Sequence, residues 1–459
     1  MDSPRIVRSR SMLLAPLLAM ASGAAAQVPT QWTIELQCRS SLDPGIVPFN
    51  LPFPSSLSSQ SVALDQDGSV VTRVVLAGAA TEGIFLGQNG AGGIILSVND
   101  PEPIWSSGLD HENNRVAVQR LDGTSITTYD ESGAPIDVFG PGGSEGISGL
   151  STPSLNSAGA VGYRGDFGTF RKLIIDQFIG GVRTQVSRGN TFSGTYSFLF
   201  SPRLNNAGEM ASNTILQNGS TRRIARWDPA GNPTTIVETG ATWNAFVNSI
   251  GFSNPPTAGG AGHVAFSARR ASDSIWEVRR TDGLGTIRVA QGGDMNIQSS
   301  DLANFPVAVN RSGWVAFRAK DDSNAAALFV GDGQTLVRIA RAGDMMPTDL
   351  GPIVGGFNFG GTTGVQFINA NVDINDAGQV AFACFLENGT IGVYVATPVE
   401  TCAGDWDASG GQPNSSDFLA YLNDWSANEP RADLAPAGGD GTWDSSDFLA
   451  YLNLYSAGC

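Results

Sequence analysis

Histidine, cysteine and positive charge are scarce in this sequence of 459 residues. It contains two histidines, four cysteines, and 27 lysines and arginines against 43 aspartates and glutamates. The resulting net charge of −16 argues against nucleic acids and anionic membranes as partners, since both are densely negative. His111 and His263 lie far apart in the sequence, and no cysteine spacing resembles a zinc site. No apolar run after residue 26 is long enough to span a bilayer, so we expect a soluble, acidic mature chain.

The first 26 residues have the composition of a secretory signal peptide. Arg5, Arg8 and Arg10 precede an apolar run at residues 12–21, and three alanines end the segment. A basic start, a short apolar centre and small residues at the end are the features of such peptides. The apolar run has about ten residues against the ~20 of a membrane-spanning helix, so a membrane anchor is the weaker alternative. We predict cleavage after Ala26 and a secreted protein, extracellular or at the cell surface.

Glycine and proline, with 57 and 24 residues, and the lack of long amphipathic runs favour an all-β chain. In the clearest repeat unit, Asn310 is followed by Gly313 and an apolar strand at 315–317. Asn and Gly at this spacing suit a type I turn, and consecutive apolar strand residues suit a sheet covered on both faces. Related turn-then-strand signals recur 45 to 65 residues apart, at Gly68, Asn114, Gly159, Gly208, Gly262, Gly313 and Gly378.

Seven repeats of this length predict a seven-bladed β-propeller over residues 27–396. The last repeat has only two clear strands, at 380–385 and 392–396, whereas the chain before the first repeat has a spare strand at 32–36. We therefore expect the N-terminal strand to complete the last blade and close the ring, which protects the free sheet edges. A β-sandwich array or a β-solenoid is the alternative, although solenoid repeats tend to be shorter and sandwiches lack a regular period.

The four cysteines of an exported chain suggest two disulfides, for which three pairings exist. If the N-terminal strand joins the last blade, Cys38 and Cys384 fall on neighbouring strands, where a disulfide is geometrically possible. Cys402 and Cys459 bracket the C-terminal segment, and we predict that they form the second disulfide.

The composition changes after a short linker at residues 397–401. The nine residues 415–423 are repeated letter for letter at 445–453, so residues 402–459 form a small domain of two loop–helix units. The helical pattern predicts one apolar face on each helix, made of Phe418, Leu419, Leu422 and Trp425 in the first and of Phe448, Leu449, Leu452 and Tyr455 in the second.

The loop before each helix has the spacing of a calcium-binding loop, with carboxylate oxygens around a sharp turn. The first loop is one residue longer than the standard twelve, and its expected ligands are Asp405, Asp407, Ser409, Asn414 and Asp417. The second loop offers Asp440, Asp444 and Asp447, with Gly441 at the turn, but its first and third positions carry no ligand side chain. The alternative is that these residues only cap the helix N-termini, without a metal.

The duplicated loops, each followed by a single helix, resemble a dockerin. The cysteines that open and end the segment resemble those of the divergent GC-type dockerins at the C-termini of many exported bacterial proteins. The resemblance implies Ca²⁺ binding and a cohesin-like partner recognised through hydroxyl residues, which match Ser415, Ser416, Ser445 and Ser446 in this sequence. The upstream repeats are similar to the tandem NxxGxxAF repeats of exported bacterial proteins, a similarity that implies architecture and no reaction.

No catalytic set stands out in the repeats. Asp294 and Asp344 both lie in Gly-Asp-Met, but they occupy equivalent places in consecutive repeats and are interpreted as turn formers; Trp243 and Phe357 are weak candidates for stacking on a sugar. We predict a secreted, non-catalytic binding or structural propeller, tethered to a surface or complex through residues 402–459. The alternative is a polysaccharide hydrolase or lyase, which a carboxylate cluster from different blades within about 10 Å would favour. A third possibility is that the repeats act only as a spacer.

Overall fold

The structure is a computed structural model. It describes residues 27–57, 62–76, 81–99, 104–120, 125–140, 146–281, 285–356, 371–399, 404–407, 413–435 and 441–457. The predicted signal peptide, Cys402 and Cys459 lie outside these residues.

The repeats form seven antiparallel sheets, six of them built from consecutive strands of one repeat and the seventh completed by the N-terminal strand. Blade 1 consists of β2 (Val62–Leu64), β3 (Val70–Val75), β4 (Thr81–Gln88) and β5 (Ala91–Asn99). Blade 2 consists of β6 (Ile104–Glu112), β7 (Arg115–Arg120), β8 (Ile126–Asp130) and β9 (Pro135–Phe139). Blade 3 consists of β10 (Gly149–Leu150), β11 (Ser154–Leu155), β12 (Val161–Phe167), β13 (Phe170–Ile179) and β14 (Val182–Asn190).

The next three blades follow the same plan. Blade 4 consists of β15 (Tyr196–Leu199), β16 (Arg203–Leu204), β17 (Met210–Leu216), β18 (Arg222–Trp227) and β19 (Pro233–Glu238). Blade 5 consists of β20 (Trp243–Phe246), β21 (Gly251–Phe252), β22 (Val264–Arg270), β23 (Trp276–Thr281) and β24 (Thr286–Gln291). Blade 6 consists of β25 (Ala308–Val309), β26 (Val315–Lys320), β27 (Ala326–Gly331) and β28 (Leu336–Arg341).

Blade 7 joins the two ends of the repeat region. It contains β31 (Asp373–Ile374), β32 (Val380–Phe385) and β33 (Ile391–Pro398), and its fourth strand is the N-terminal β1 (Trp32–Ser40), which pairs with β33. The seven-bladed propeller closed by its own first strand is therefore confirmed. β1 is longer than the predicted strand 32–36, and β33 includes the first two residues of the segment predicted as a linker.

The asparagine of the repeated turn explains why the motif recurs. Asn310 Oδ1 accepts the Trp314 amide at 2.9 Å, which holds the turn of blade 6, while Gly313 takes a φ of +81°. The Nδ2 of Asn310 donates to the Asn375 carbonyl of blade 7 at 3.1 Å. In the same way, Asn375 Nδ2 donates to the Asp65 carbonyl of blade 1 at 3.0 Å. One side chain thus shapes its own turn and bonds to the next blade, and the series continues across the closure of the ring.

The hydrophobic core lies between neighbouring blades. On β26, Val315 and Phe317 pack into a cluster shared with blade 5, whereas Ala316 packs into a cluster shared with blade 7. Alternate residues of one strand therefore face two different neighbours, as expected for strands that are apolar on both faces.

The predicted Cys38–Cys384 disulfide is wrong. Cys38 lies on β1 and Cys384 on β32, but β33 lies between these strands, and both thiols are free and buried. Two strand spacings put the residues about 9.5 Å apart, beyond the ~7 Å that a disulfide can bridge. The two side chains also belong to core clusters on opposite faces of the blade.

Among the residues that the structure describes, a short hairpin and two α-helices lie outside the blades, together with three short 3₁₀-helices, Asp294–Asn296, Ser299–Ala303 and Pro430–Ala432. The hairpin, β29 (Met345–Met346) and β30 (Ile353–Val354), carries Asp349, whose two carboxylate oxygens lie 2.8 and 2.9 Å from the buried Arg39 guanidinium of β1. The helices are α1 (Ser415–Ser426) and α2 (Ser445–Ala457). Within the described part of the chain, no helix combines the length and the apolar character that a bilayer crossing needs.

The two helices pack through aromatic residues at equivalent positions. The rings of Tyr421 and Tyr451, both fully buried, stack with centroids 3.9 Å apart, and Trp406 meets each of them edge-on. The predicted apolar faces are wrong at Leu419 and Leu449, which are each 59% exposed. A turn of 100° per residue places these leucines beside the buried stripe, and the tyrosines take their place in the core.

Candidate functional site

The axis of the ring is lined by one residue from the innermost strand of each of six of the seven blades. Each of them lies two residues before the first residue of the repeat turn, and each pairs with the second residue of the following strand or a residue close to it. Those that line the central cavity are Asp110, Ser154, Arg203, Gly251, Ala308 and Asp373. The cavity has a volume of about 90 Å³, less than the ~150 Å³ that holds a benzene ring. It therefore suits waters, an ion or a very small polar ligand.

Three of the polar residues in the channel bond to the next blade along the chain or across the closure. Asp110 Oδ2 accepts the Leu155 amide at 2.5 Å, and Ser154 Oγ accepts the Leu204 amide at 3.0 Å. Asp373 Oδ2 accepts the Leu64 amide at 2.9 Å. These side chains satisfy backbone amides that would otherwise be buried without a partner, so they link blades as the turn asparagines do.

Two carboxyl groups at the central cavity, those of Asp110 and Glu112, have raised pKa values because they are buried. Burial raises the pKa of Asp110 to about 6, against the attraction of Arg203 and with the repulsion of Asp373. Burial also raises the pKa of Glu112 to about 7, although Asn206 donates to its carboxylate at 2.8 Å. Groups with such values exchange protons near neutral pH.

Side chains from blades that are not neighbours meet across the axis. Glu112 of blade 2 accepts from Asn206 of blade 4, and Asn254 of blade 5 donates to Asp376 of blade 7 at 3.5 Å. These contacts connect blades across the channel, and the carboxylate of Glu112 takes part in one of them.

The sequence reasoning missed this cluster. Asp110 and Glu112 lie in the second repeat, where the turn is shortened to Asn113 and Asn114, both with positive φ. The available signal was the departure of this repeat from the pattern of the others.

Three of the residues considered for catalysis or stacking in the repeats have structural roles. Asp294 Oδ2 accepts the Gln291 amide at 2.9 Å, and Asp344 Oδ2 accepts the Arg341 amide at 2.7 Å. The same bond at the same place in two blades confirms the interpretation as turn formers. Trp243, considered for sugar stacking, is buried between blades 4 and 5, so its ring is not available for a ligand; Phe357 lies outside the described residues.

The first C-terminal loop brings three of its predicted ligands together. Ligand oxygens of Asp405, Asp407 and Asp417 lie within 4.8 Å of one another. Asp417 accepts the amides of Asp407 at 3.1 Å and Asn414 at 2.8 Å. Burial raises the pKa of Asp417, but these hydrogen bonds outweigh it and leave the value at about 2. Three carboxylates this close repel one another unless a cation or a proton lies between them, and hard oxygen donors suit Ca²⁺.

Asn414 also caps the helix, since its Oδ1 accepts the Ser416 amide at 2.8 Å and completes a capping box with Asp417. Ser409 lies outside the described residues. The loop therefore combines the two interpretations offered by its sequence, a helix cap and a carboxylate cluster.

In the second loop, backbone amides surround the last carboxylate. Asp447 Oδ1 accepts the amides of Leu434 at 2.7 Å and Ala435 at 2.8 Å, and its Oδ2 accepts the Asp444 amide at 2.8 Å. Asp444 Oδ1 accepts the Ser446 amide at 2.7 Å as a helix cap. Asp440 lies outside the described residues, and Asp433, which the sequence pattern did not single out, accepts the Gly441 amide at 2.6 Å.

The predicted partner-binding serines are exposed on both helices. Ser415 and Ser416 occupy the first turn of α1, and Ser445 and Ser446 the first turn of α2. Each pair lies one turn before an exposed leucine on its helix, so the duplicated sequence presents the same combination of hydroxyls and apolar surface twice.

The model of a family described as "Family of unknown function (DUF7453)" matches residues 137–400, which is more than half of the chain. No curated protein matches the chain in sequence.

Among solved structures, the Neurospora crassa Pan2 WD40 domain is 14% identical at a TM-score of 0.43, covering 80% of this chain and 96% of that chain. The Myceliophteria thermophila Cps50 (Swd1) β-propeller domain is 10% identical at 0.41, covering 74% and 99%. The Toxoplasma gondii coronin WD40 domain is 11% identical at 0.39, covering 82% and 90%.

Proposed function

The chain belongs to the DUF7453 family of unknown function, and from this premise we propose that it is a secreted, non-catalytic binding or structural propeller tethered through a dockerin-like C-terminal domain. The observation that carries the proposal is the duplicated exposed surface of α1 and α2. Leu419 and Leu449 are exposed to the same extent, 59%. The stacked rings of Tyr421 and Tyr451 hold the two helices against each other.

In protein contact surfaces a few buried anchors are surrounded by hydrogen-bonding groups, and here the exposed leucines would be the anchors and the serine hydroxyls the surrounding groups. The tethering partner would be a cohesin-like or other surface protein that contacts Ser415, Ser416, Ser445 and Ser446. The partner of the propeller itself would be a protein or a glycan.

Calcium would be held by Asp405, Asp407 and Asp417 of the first loop. Their mutual distances support this assignment, because a crowded set of carboxylates is stabilised by a divalent cation. When bound, Ca²⁺ would neutralise the cluster and fix the loop before α1, and thereby the angle at which the Ser415 surface is presented.

The alternative of a polysaccharide hydrolase or lyase is favoured by one observation, the carboxyl groups of Asp110 and Glu112 with raised pKa values. Two facts weigh against it. The cavity is too small for a sugar ring, and Asp110 and Asp373 each already accept a backbone amide of another blade.

Binding of the fluorescently labelled mature chain to cells of the organism that secretes it tests the proposal. We expect retention in buffer with Ca²⁺ and release by EGTA. The double variant Leu419→Asp and Leu449→Asp should lose retention, because each change places a charge in the centre of the contact surface. Leu42→Asp is the matched control, since Leu42 is 69% exposed on the propeller side of the chain.

Retention that survives both EGTA and the double variant would exclude tethering through residues 402–459. If the double variant is retained normally and the Leu42→Asp variant is not, the contact with the cell lies on the propeller. Release of reducing sugar from a polysaccharide panel, abolished by Glu112→Gln, would favour the enzyme instead.

A further inference from the structure

His111 breaks the apolar pattern of the repeat. The residue at the end of the innermost strand, paired with the first residue of the next strand, is apolar in the other six blades. These residues are Leu64, Leu155, Leu204, Phe252, Val309 and Ile374. His111 takes the corresponding place in blade 2, one residue after the channel-lining Asp110, and pairs with Val116; β6 then continues for one further pair, Glu112 with Arg115. A polar residue at one of seven equivalent core positions indicates a local function, because packing alone is served by an apolar side chain.

The imidazole of His111 is buried beside two carboxylates. Only 2% of the residue is exposed, and among the described residues neither ring nitrogen has a hydrogen-bond partner. Nε2 lies 3.7 Å from Asp65 Oδ2 and 3.6 Å from Glu131 Oε1. Asp65 belongs to blade 1 and Glu131 to the hairpin turn between β8 and β9, so three separate segments converge on the ring.

The three ligand atoms have the spacing of a metal site. They all lie within 4.8 Å of one another. The separations from Nε2 exceed the ~3.2 Å limit of a good N–H···O hydrogen bond. Two ligands at ~2.1 Å from a tetrahedral ion are about 3.4 Å apart, close to the distances observed here.

The hydrogen bonds that Asp65 accepts leave one of its carboxylate oxygens with a lone pair for a metal ion. Asp65 Oδ1 accepts the amides of Gln66 at 2.6 Å and Asn113 at 2.9 Å, while Oδ2 accepts only the Asn114 amide at 2.8 Å among the described bonds. A carboxylate oxygen with one accepted bond can still coordinate a cation. A neutral imidazole offers a nitrogen lone pair to a metal ion.

We propose that Asp65, His111 and Glu131 bind a divalent transition-metal ion of the Zn²⁺ class, which joins blade 1 to blade 2. An imidazole with two carboxylates suits Zn²⁺ better than Ca²⁺ or Mg²⁺, which prefer oxygen ligands alone. The partly exposed Glu131 side chain, at 35%, provides the side from which an ion and a fourth ligand, a water, can enter. The site lies next to the central cavity, which His111 also lines.

Calorimetric titration of the full mature chain with Zn²⁺, in excess Ca²⁺ to fill the C-terminal loops, tests this assignment. We expect one Zn²⁺ per chain and one imidazole ligand in the zinc X-ray absorption spectrum. His111→Gln should weaken binding about 100-fold or more, since even residues that only support a ligand cost about 10- to 100-fold. Glu131→Gln should weaken it at least 10-fold, and because this residue lies in a hairpin turn, that variant keeps the fold.

The matched controls are His263→Gln and Glu387→Gln. His263 is the only other histidine of the sequence and bonds through Nδ1 to the Thr281 carbonyl at 2.7 Å, while Glu387 is exposed in the hairpin turn between β32 and β33 of blade 7. Both variants should bind Zn²⁺ as the wild type does. Binding that is unchanged in His111→Gln and Glu131→Gln, lost in His263→Gln, or only millimolar in the wild type would overturn the proposal.

Discussion

Replacing Asn205 with alanine should weaken the contact between blades 4 and 5. Asn205 Oδ1 accepts the amides of Ala207 at 3.1 Å and Glu209 at 3.0 Å, which shapes the turn. Its Nδ2 donates to Glu209 Oε2 at 2.9 Å and to the Ser253 carbonyl of blade 5 at 3.1 Å. The residue is only 3% exposed, so water replaces these bonds poorly.

The magnitude follows from the four hydrogen bonds. At about 1 kcal/mol each, their loss should lower the free energy of unfolding by about 4 kcal/mol. Asn218→Ala is the matched control, because Asn218 accepts the amides of Ser220 at 3.1 Å and Thr221 at 2.9 Å in an exposed turn without a contact to another blade. Its cost should be about 1 kcal/mol or less, since exposed groups regain water.

Urea unfolding followed by tryptophan fluorescence measures both costs, and hydrogen exchange of the 207–209 amides locates the change. Amide exchange should be faster in blades 4 and 5 of the Asn205 variant alone. A cost below 1 kcal/mol, or one equal to that of Asn218→Ala, would refute the view that the repeated asparagine holds the ring together.

Three further predictions concern separate parts of the chain. Tyr421→Ala should cost the C-terminal domain about 3–5 kcal/mol, because it removes a fully buried, stacked ring, and near-ultraviolet circular dichroism should show the loss. Burial raises the pKa of Asp321, but bonds from Ser323 and Arg341 leave it at about 2. Because this folded value lies below the unfolded ~3.9, Asp321→Asn should lower stability by about 2 kcal/mol above pH 4, and the difference should vanish as the pH falls to 2. Cys38 and Cys384 should react with a thiol reagent only after denaturation, since both are buried and burial raises the pKa of each thiol; reaction in the native state would contradict their placement.

The repeat motif could be recognised from the sequence because its chemistry is local. Asn310 and Gly313 make their turn with residues that follow within four positions, and the apolar strand after it needs two covered faces wherever it lies. Counting such units was enough to predict the number of blades and the closing role of the N-terminal strand.

The predictions of the cysteine pairing and of the helix faces were wrong because both depend on which segments pack next to each other in the fold. The Cys38–Cys384 pairing failed because the closing strand pairs with β33 and not with β32, a choice that backbone hydrogen bonding makes. The face of α1 was misjudged at Leu419 because Tyr421 stacks on its duplicate, Tyr451, and the packing of the two helices against each other selects the buried stripe.

The two candidate metal sites also differ in whether local sequence or tertiary contacts bring their ligands together. Asp405, Asp407 and Asp417 were expected together because one loop carries all three. Asp65, His111 and Glu131 were not expected together, since they come from two turns and one strand in two different blades, and the second repeat was interpreted only as a degenerate copy.

By itself the sequence determined the turns, the strands, their number and the acidic loops, because each depends on contacts within a few residues. The tertiary structure decided which carboxylates surround the axis, which thiols stay apart and where the exceptional histidine lies. Ring closure brings residues hundreds of positions apart into contact, and no local pattern specifies which side chains meet there.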